Sequence, residues 1–193
     1  MRKLALVLGW ALTASLTARA QFVVPTSYTA TPGGVGGYTY FDDTGSQLTD
    51  GVLGVDDYTA DLGNGNAYEW VGWTDPNPMI TFFFPSSITL QTVEIGFNRN
   101  NGAGIYLPAS VSINGTVFNL NGDEIPDGTR DFLNYHGAWT GSMLQVDLTA
   151  AGSYTFVDEM KFSTANVPEP GMAAALLGAT ALGWAVWRRK RIT

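Results

Sequence analysis

The sequence predicts an all-β protein, a single antiparallel β-sandwich flanked by an N-terminal signal helix and a C-terminal transmembrane helix. Three observations lead there. From residue 38 to 163, short runs rich in Val, Ile, Phe, Tyr, Trp and Thr alternate with clusters of Gly, Pro, Asn and Asp, which is how a sandwich is punctuated. Val93, Ile95 and Phe97 fall on one face, with Glu94 and Gly96 on the other, a period of two that suits a half-buried strand. Asn114-Gly115, set between Val111/Ile113 and Val117, is the residue pair that a type I′ hairpin turn demands.

Taken in order, Met1–Ala20 reads as a secretory signal. Arg2 and Lys3 form its charged start, residues 4–16 its apolar stretch, and Ala18-Arg19-Ala20 its small-residue cleavage site. A buried N-terminal helix is the alternative, but the sequence that follows is polar and contains Pro. Residues 21–37, rich in Pro, Gly, Ser and Thr, read as a lead-in. The domain proper is expected over 38–163, with strands at 38–41, 68–73, 79–84, 89–97, 110–113, 116–120, 143–148 and 154–162. Residues 164–170 form a linker, and 171–187 an apolar run that reaches roughly 25 Å as a helix, enough for an untilted span. Trp184 and Trp187 suit the membrane interface, and Arg188, Arg189, Lys190 and Arg191, in the tail 188–193, should stay cytoplasmic.

Charge excludes whole classes of function. Only Arg99, Arg130 and Lys161 stand between Gln21 and Pro170, against all 17 acidic residues, a formal charge of −14 for the middle of the chain. Such a domain repels phosphate backbones, so no nucleic-acid partner is expected. With no cysteine in the chain, disulfides, thiolate nucleophiles and zinc–thiolate sites are excluded.

Two resemblances add to this reading. Val167-Pro168-Glu169-Pro170, the small-residue helix after it and the Arg-rich end resemble the PEP-CTERM sorting signal of Gram-negative bacteria. The resemblance implies that an exosortase-type membrane protease recognises Pro168, Glu169 and Pro170 and cuts nearby. The C-terminal helix would hold the chain in the inner membrane until then, and the product would reach the cell envelope, cell surface or extracellular matrix. A plain single-pass anchor is the simpler alternative. In the middle, Leu48-Thr49-Asp50-Gly51, Glu69-Trp70-Val71-Gly72-Trp73, Ile80-Thr81-Phe82-Phe83-Phe84, Val93-Glu94-Ile95, Leu107-Pro108-Ala109-Ser110-Val111 and Val157-Asp158-Glu159-Met160-Lys161-Phe162 follow in that order. Together they resemble the discoidin, or coagulation-factor type C, branch of the galactose-binding-like jelly rolls. Phe83-Phe84-Pro85 departs from it where Asp-Leu-Gly is usual.

That second resemblance implies a structural Ca²⁺ held by Asp50 and Glu159 with backbone carbonyls. The family's next side-chain ligands would fall near Val52 and Val55, which have no oxygen to offer. Asn119-Leu120-Asn121-Gly122-Asp123 spaces its oxygens like an EF-hand, but Glu124 and Arg130 occupy the positions that need Gly and Glu, so a polar turn is expected. Trp70 and Trp73, three apart on a strand, should point to opposite faces and are read as structural.

Catalytic inventory is thin, with one histidine, His136, and no nucleophile-elbow, zinc or P-loop motif; the protein is read as non-catalytic. Asp42/Asp43 and Asp56/Asp57 read as solvated loop charges, although two carboxylates facing each other across a sugar would make a small polysaccharide hydrolase. Asn98, Arg99, Asn100 and Asn101, with Tyr106, Tyr135, His136 and Trp139, supply hydrogen-bonding groups and aromatic faces suited to a neutral sugar. They suit an ordinary Gly-rich turn and a packed aromatic corner as well. The leading expectation is an exported protein that binds neutral glycans or exopolysaccharide; a structural or adhesive matrix protein with no specific ligand is the alternative.

Overall fold

The structure, a computed structural model, describes residues 21–35, 40–60 and 69–164. The expected signal helix, membrane span and sorting tail lie outside these residues. Eight strands occur among them: β1 (Phe22–Val23), β2 (Ser27–Ala30), β3 (Val71–Trp73), β4 (Met79–Arg99), β5 (Ser110–Ile113), β6 (Thr116–Asn119), β7 (Thr129–Thr149) and β8 (Thr155–Thr164). All pair antiparallel.

β4 and β7 carry the architecture. Each is 21 residues long, and their shared ladder shifts register between Phe83 and Ile88 and again between Leu90 and Thr92. Bulges of this kind bend and twist a strand pair, so the two strands serve two half-sheets. In one, the start of β4 lies between β2 and the end of β7, followed by β5 and β6. In the other, the rest of β4 lies between the start of β7 and β8, whose outer edge holds β1 and β3.

The half-sheets face each other across one apolar core. Ile80, Val146 and Ile113 align across three neighbouring strands and are fully buried, as are Val93, Ile95 and Phe97 opposite. Phe82 meets Phe162 at 4.7 Å between ring centroids, and Phe118 of β6 meets Tyr135 of β7 at 5.1 Å, distances at which edge-to-face pairs attract. The all-β sandwich is as expected.

Details depart from the expectation. The segment 21–37 is more than a lead-in, since it supplies β1 and β2, paired with β8 and β4. Tyr40 and Phe41 are irregular rather than a strand. The runs 79–84 and 89–97 are one strand, and the first half of β7 was unforeseen. The hairpin turn is as read: Asn114 and Gly115 take φ of 46° and 83°. So is the polar turn, where the Glu124 carboxylate accepts the N–H groups of Asn121 and Gly122.

A second, smaller apolar cluster covers the outer face of β8 near its start. Trp70, Phe156, Ile105, Tyr40 and Val35 form it, while Trp73 lies in the main core. The two tryptophans therefore face opposite ways, both as packing residues.

Candidate functional site

One end of the sandwich is built by the loops after β4 and before β8. At the end of β4, a short 3₁₀ turn (Asn101–Ala103) is capped by the Asn100 side chain, which accepts the N–H of Ala103, and is closed by Gly104 in the left-handed region at φ 79°. Asp127 accepts the N–H of Asn101 at 2.7 Å. Ile105 then bridges to Tyr154, just before β8. Beside these groups lies a cleft of about 320 Å³ lined by Val35, Tyr40, Tyr58, Thr59, Ala103, Ile105, Tyr154 and Phe156. Tyr40 and Phe156 are its buried floor and pack at 4.6 Å. Tyr58 and Tyr154 are only partly covered, so two aromatic rings meet solvent at a concave surface.

The residues singled out from sequence as sugar ligands are split apart. Arg99 faces Thr129 and His136 faces Thr92 on the same pair of strands; seven residues at about 3.3 Å each set them roughly 23 Å apart. His136 is exposed mid-strand, its Nδ1 3.2 Å from the Thr92 hydroxyl. Tyr135 and Trp139 are core residues, 4 % and 6 % exposed, because alternation along β7 turns them inward; neither ring can meet a sugar. Burial holds the Tyr135 hydroxyl protonated well above the ordinary tyrosine range. Asn98 belongs to β4 rather than a loop, and its buried amide donates to the Asp56 carbonyl at 3.1 Å. Arg99 donates to the Ile125 carbonyl at 2.7 Å. Asn100, Asn101 and Tyr106 do lie at the loop end, the first two beside the cleft and Tyr106 with its ring against Gly152. The cleft's own aromatics, Tyr58 and Tyr154, were missed. Tyr58 offered a signal in sequence, a large aromatic among turn residues in Asp56-Asp57-Tyr58-Thr59.

A second constellation surrounds Asp158 and Glu159. Asp158 is fully buried and fully engaged. It accepts from Arg130 through Nε at 2.8 Å and Nη2 at 3.1 Å, and from the N–H of Gly54 and of Glu159. Glu159 accepts the N–H of Gly51 at 3.1 Å, and Asp50 turns back on the N–H of Val52. The sequence-predicted pair is thus brought to one corner. Glu69, absent from the prediction, joins them. It is fully buried, and neither carboxylate oxygen meets a hydrogen-bond donor among the described residues. Its pKa is pushed up to about 8 by desolvation first and then by the charges of Asp50, Asp158 and Glu159. Glu159 is raised to about 7, again mainly by burial. Among the described residues no three acidic or histidine side chains converge at metal-ligand spacing. A cation here would draw on Asp50, Glu159 and backbone carbonyls, and Glu69's orphaned oxygens are the feature that fits such an ion.

The domain is a two-layer β-sandwich with an aromatic cleft at one end of its strands. Residues 166–190 match the PEP-CTERM protein-sorting motif, so Pro168, Glu169 and Pro170, with Arg188, Arg189 and Lys190 of the basic cluster, stand inside a bacterial sorting signal, which implies export. No curated protein matches the chain in sequence. Among solved structures it is similar to the CBM32 of AlyQ in complex with 4,5-unsaturated mannuronic acid (14 % identity, 74 % of this chain and 97 % of that one, TM-score 0.45). It is also similar to CBM32-1 of a family 31 glycoside hydrolase from Clostridium perfringens (15 %, 73 % and 96 %, TM-score 0.39). A third is chitosan-binding module 2, in complex with chitotriose, of a chitosanase/glucanase from Paenibacillus sp. IK-5 (13 %, 73 % and 98 %, TM-score 0.41).

Proposed function

We propose that this is an exported, exosortase-sorted envelope protein that binds carbohydrate without catalysing its turnover, and that the cleft at Tyr58 and Tyr154 is the binding site. The observation that carries the reading is the pair of partly exposed rings over a buried aromatic floor. A sugar ring offers an apolar C–H face and a rim of hydroxyls, and a concave aromatic wall with a few polar groups at its edge suits both. Asn100, Asn101 and Thr59 supply that edge. A shallow site of this kind binds weakly, and many copies on one surface raise the avidity, which suits attachment to exopolysaccharide. Titration of residues 21–165, which form a compact unit of their own, against the host's exopolysaccharide and neutral oligosaccharides tests it. Saturable binding that Tyr58→Ala weakens about tenfold or more, with the melting temperature unchanged, is the expected result. Binding indifferent to both Tyr58→Ala and Tyr154→Ala would place the site elsewhere, and no binding would favour a purely structural matrix role.

Ca²⁺ at the Asp50–Glu159 corner is the second part of the proposal. Bound there, it would offset the mutual repulsion of the carboxylates and tie the 50–55 loop to β8. An ion that binds only the folded state raises the melting temperature by mass action. Chelator should lower the melt, and Glu159→Gln should abolish the response. An identical melt with and without excess chelator would remove the ion from the proposal.

A further inference from the structure

Tyr58 has no helix or strand to hold it. The chain runs irregularly from Gly51 to Ala60, yet side chains and backbone of three strands fasten the segment just before the ring. The N–H of Gly54 donates to the carboxylate of Asp158 in β8 at 2.8 Å. The carbonyl of Asp56 accepts the side-chain amide of Asn98 in β4 at 3.1 Å, and its carboxylate accepts the N–H of Arg130 in β7 at 2.8 Å. Asn98 and Arg130 are register partners, so Asp56 is bound to both members of one strand pair. Arg130 serves twice, because its guanidinium grips the same Asp158 that receives Gly54. Gly54 also lies so close on Trp70 that a Cβ there would come within 2.3 Å of the indole, which leaves the backbone no room to slide. Past these points Asp57 closes a turn on the N–H and hydroxyl of Thr59, at 3.0 and 2.6 Å. Tyr58 stands within that turn, its ring centroid 5.9 Å from that of Phe156 and 6.4 Å from that of Tyr40.

Resting on the reading of the cleft as a carbohydrate site, we infer that Asp56 is a positioning residue for that site, which with the Arg130–Asp158 pair holds the 54–59 segment as a strap and so fixes the Tyr58 ring over the cleft. Asp56 is not part of the lining; it acts through Tyr58. A loop that is already ordered spares the ligand the entropy of ordering it on binding, whereas the same ring on a free surface loop would sample many positions. Affinity at the cleft therefore depends on a bond made outside it.

The test uses the full chain in detergent. Titration calorimetry takes as probes the host's exopolysaccharide and neutral trisaccharides of galactose, glucose and N-acetylglucosamine. Asp56→Ala removes the carboxylate bond to Arg130 and leaves the lining of the cleft intact, and the tightest-binding probe should lose affinity by about threefold or more, the order expected for one hydrogen bond to a charged group. Asp56→Asn, whose amide oxygen still accepts the Arg130 N–H, should bind within about twofold of the wild type. In a Tyr58→Ala background the further change Asp56→Ala should alter nothing, because two residues acting through one ring are not additive. Hydrogen exchange gives a reading without ligand: the amides of segment 54–60 and of Arg130 should exchange about tenfold faster in Asp56→Ala, while the rest of β4 and β8 keep the wild-type rate. Wild-type affinity and wild-type exchange in Asp56→Ala would overturn the inference and leave the carbohydrate reading standing. A loss of affinity that Asp56→Asn fails to repair, or that persists undiminished in Tyr58→Ala, would also overturn it, by making Asp56 a residue of general stability. Absence of binding of every probe to the wild type would overturn both.

Discussion

Glu69 is the residue whose chemistry is furthest from its solution behaviour. Full burial without a donor favours its protonated form. With a folded pKa of about 8 against an ordinary 4.5, the proton-bound carboxyl stabilises the fold. That stability is present in full below about pH 4.5 and is lost as pH rises towards 8. Denaturant unfolding in the presence of chelator should therefore show stability falling across that interval, with Glu69→Gln flattening the profile. A profile of the wild type that is already flat would mean that Glu69 has a partner in solution. Part of this corner was legible in sequence, since Asp50 and Glu159 stand out against a family pattern and do share a loop contact. Glu69 was illegible, because a Glu beside two tryptophans looks like the polar half of an alternating strand, and only the fold turns it inward.

Among the elements, the face of β4 that looks away from the core depends on Gly96. A Cβ there would lie 2.0 Å from the Asp158 carboxylate and 2.5 Å from the Arg130 guanidinium, and both groups are fixed by their mutual bonds. Gly96→Ala should force the pair apart and cost about 3 kcal/mol or more, the range for disrupting a buried ion pair; urea titration measures it, and a loss under about 1 kcal/mol would show that the pair can shift aside. The same strand explains what sequence reading could and could not resolve. Its halves were legible as alternating runs, but Pro85-Ser86-Ser87 resembles a turn and here is a bulged bend within one strand. The first half of β7 escaped for a related reason. Between Thr129 and Gly141, Gly137 and polar residues interrupt the apolar pattern, so Tyr135, His136 and Trp139 looked like a loop. That misreading placed two core rings among the expected sugar ligands and left out Tyr58 and Tyr154, which line the cleft.

For the whole molecule, processing is the first thing to verify. In a host with an exosortase system, cleavage after Ala20 and near the Pro-Glu-Pro motif should leave a product of roughly residues 21–169. Intact-mass analysis of envelope-derived protein reads this directly, and a surface product that retains Arg188–Arg191 would indicate a simple membrane anchor instead.

Where the described domain begins and ends has a mechanical meaning. The Gln21 carbonyl accepts the N–H of Thr164 at 3.0 Å, so the first and last described residues of the domain meet at the end of β8, whereas Phe156, in the floor of the cleft, stands near its start. The eight residues from Phe156 to Thr164, at about 3.3 Å each, place roughly 26 Å of strand between tether and cleft. Flow pulling on a glycan held in the cleft would therefore load the domain lengthwise along β8. That strand is flanked by β4 on one side and by β1 and β3 on the other, so its backbone bonds lie across the pull and resist it together, in shear. A pull directed across the strands would let the same bonds open one at a time.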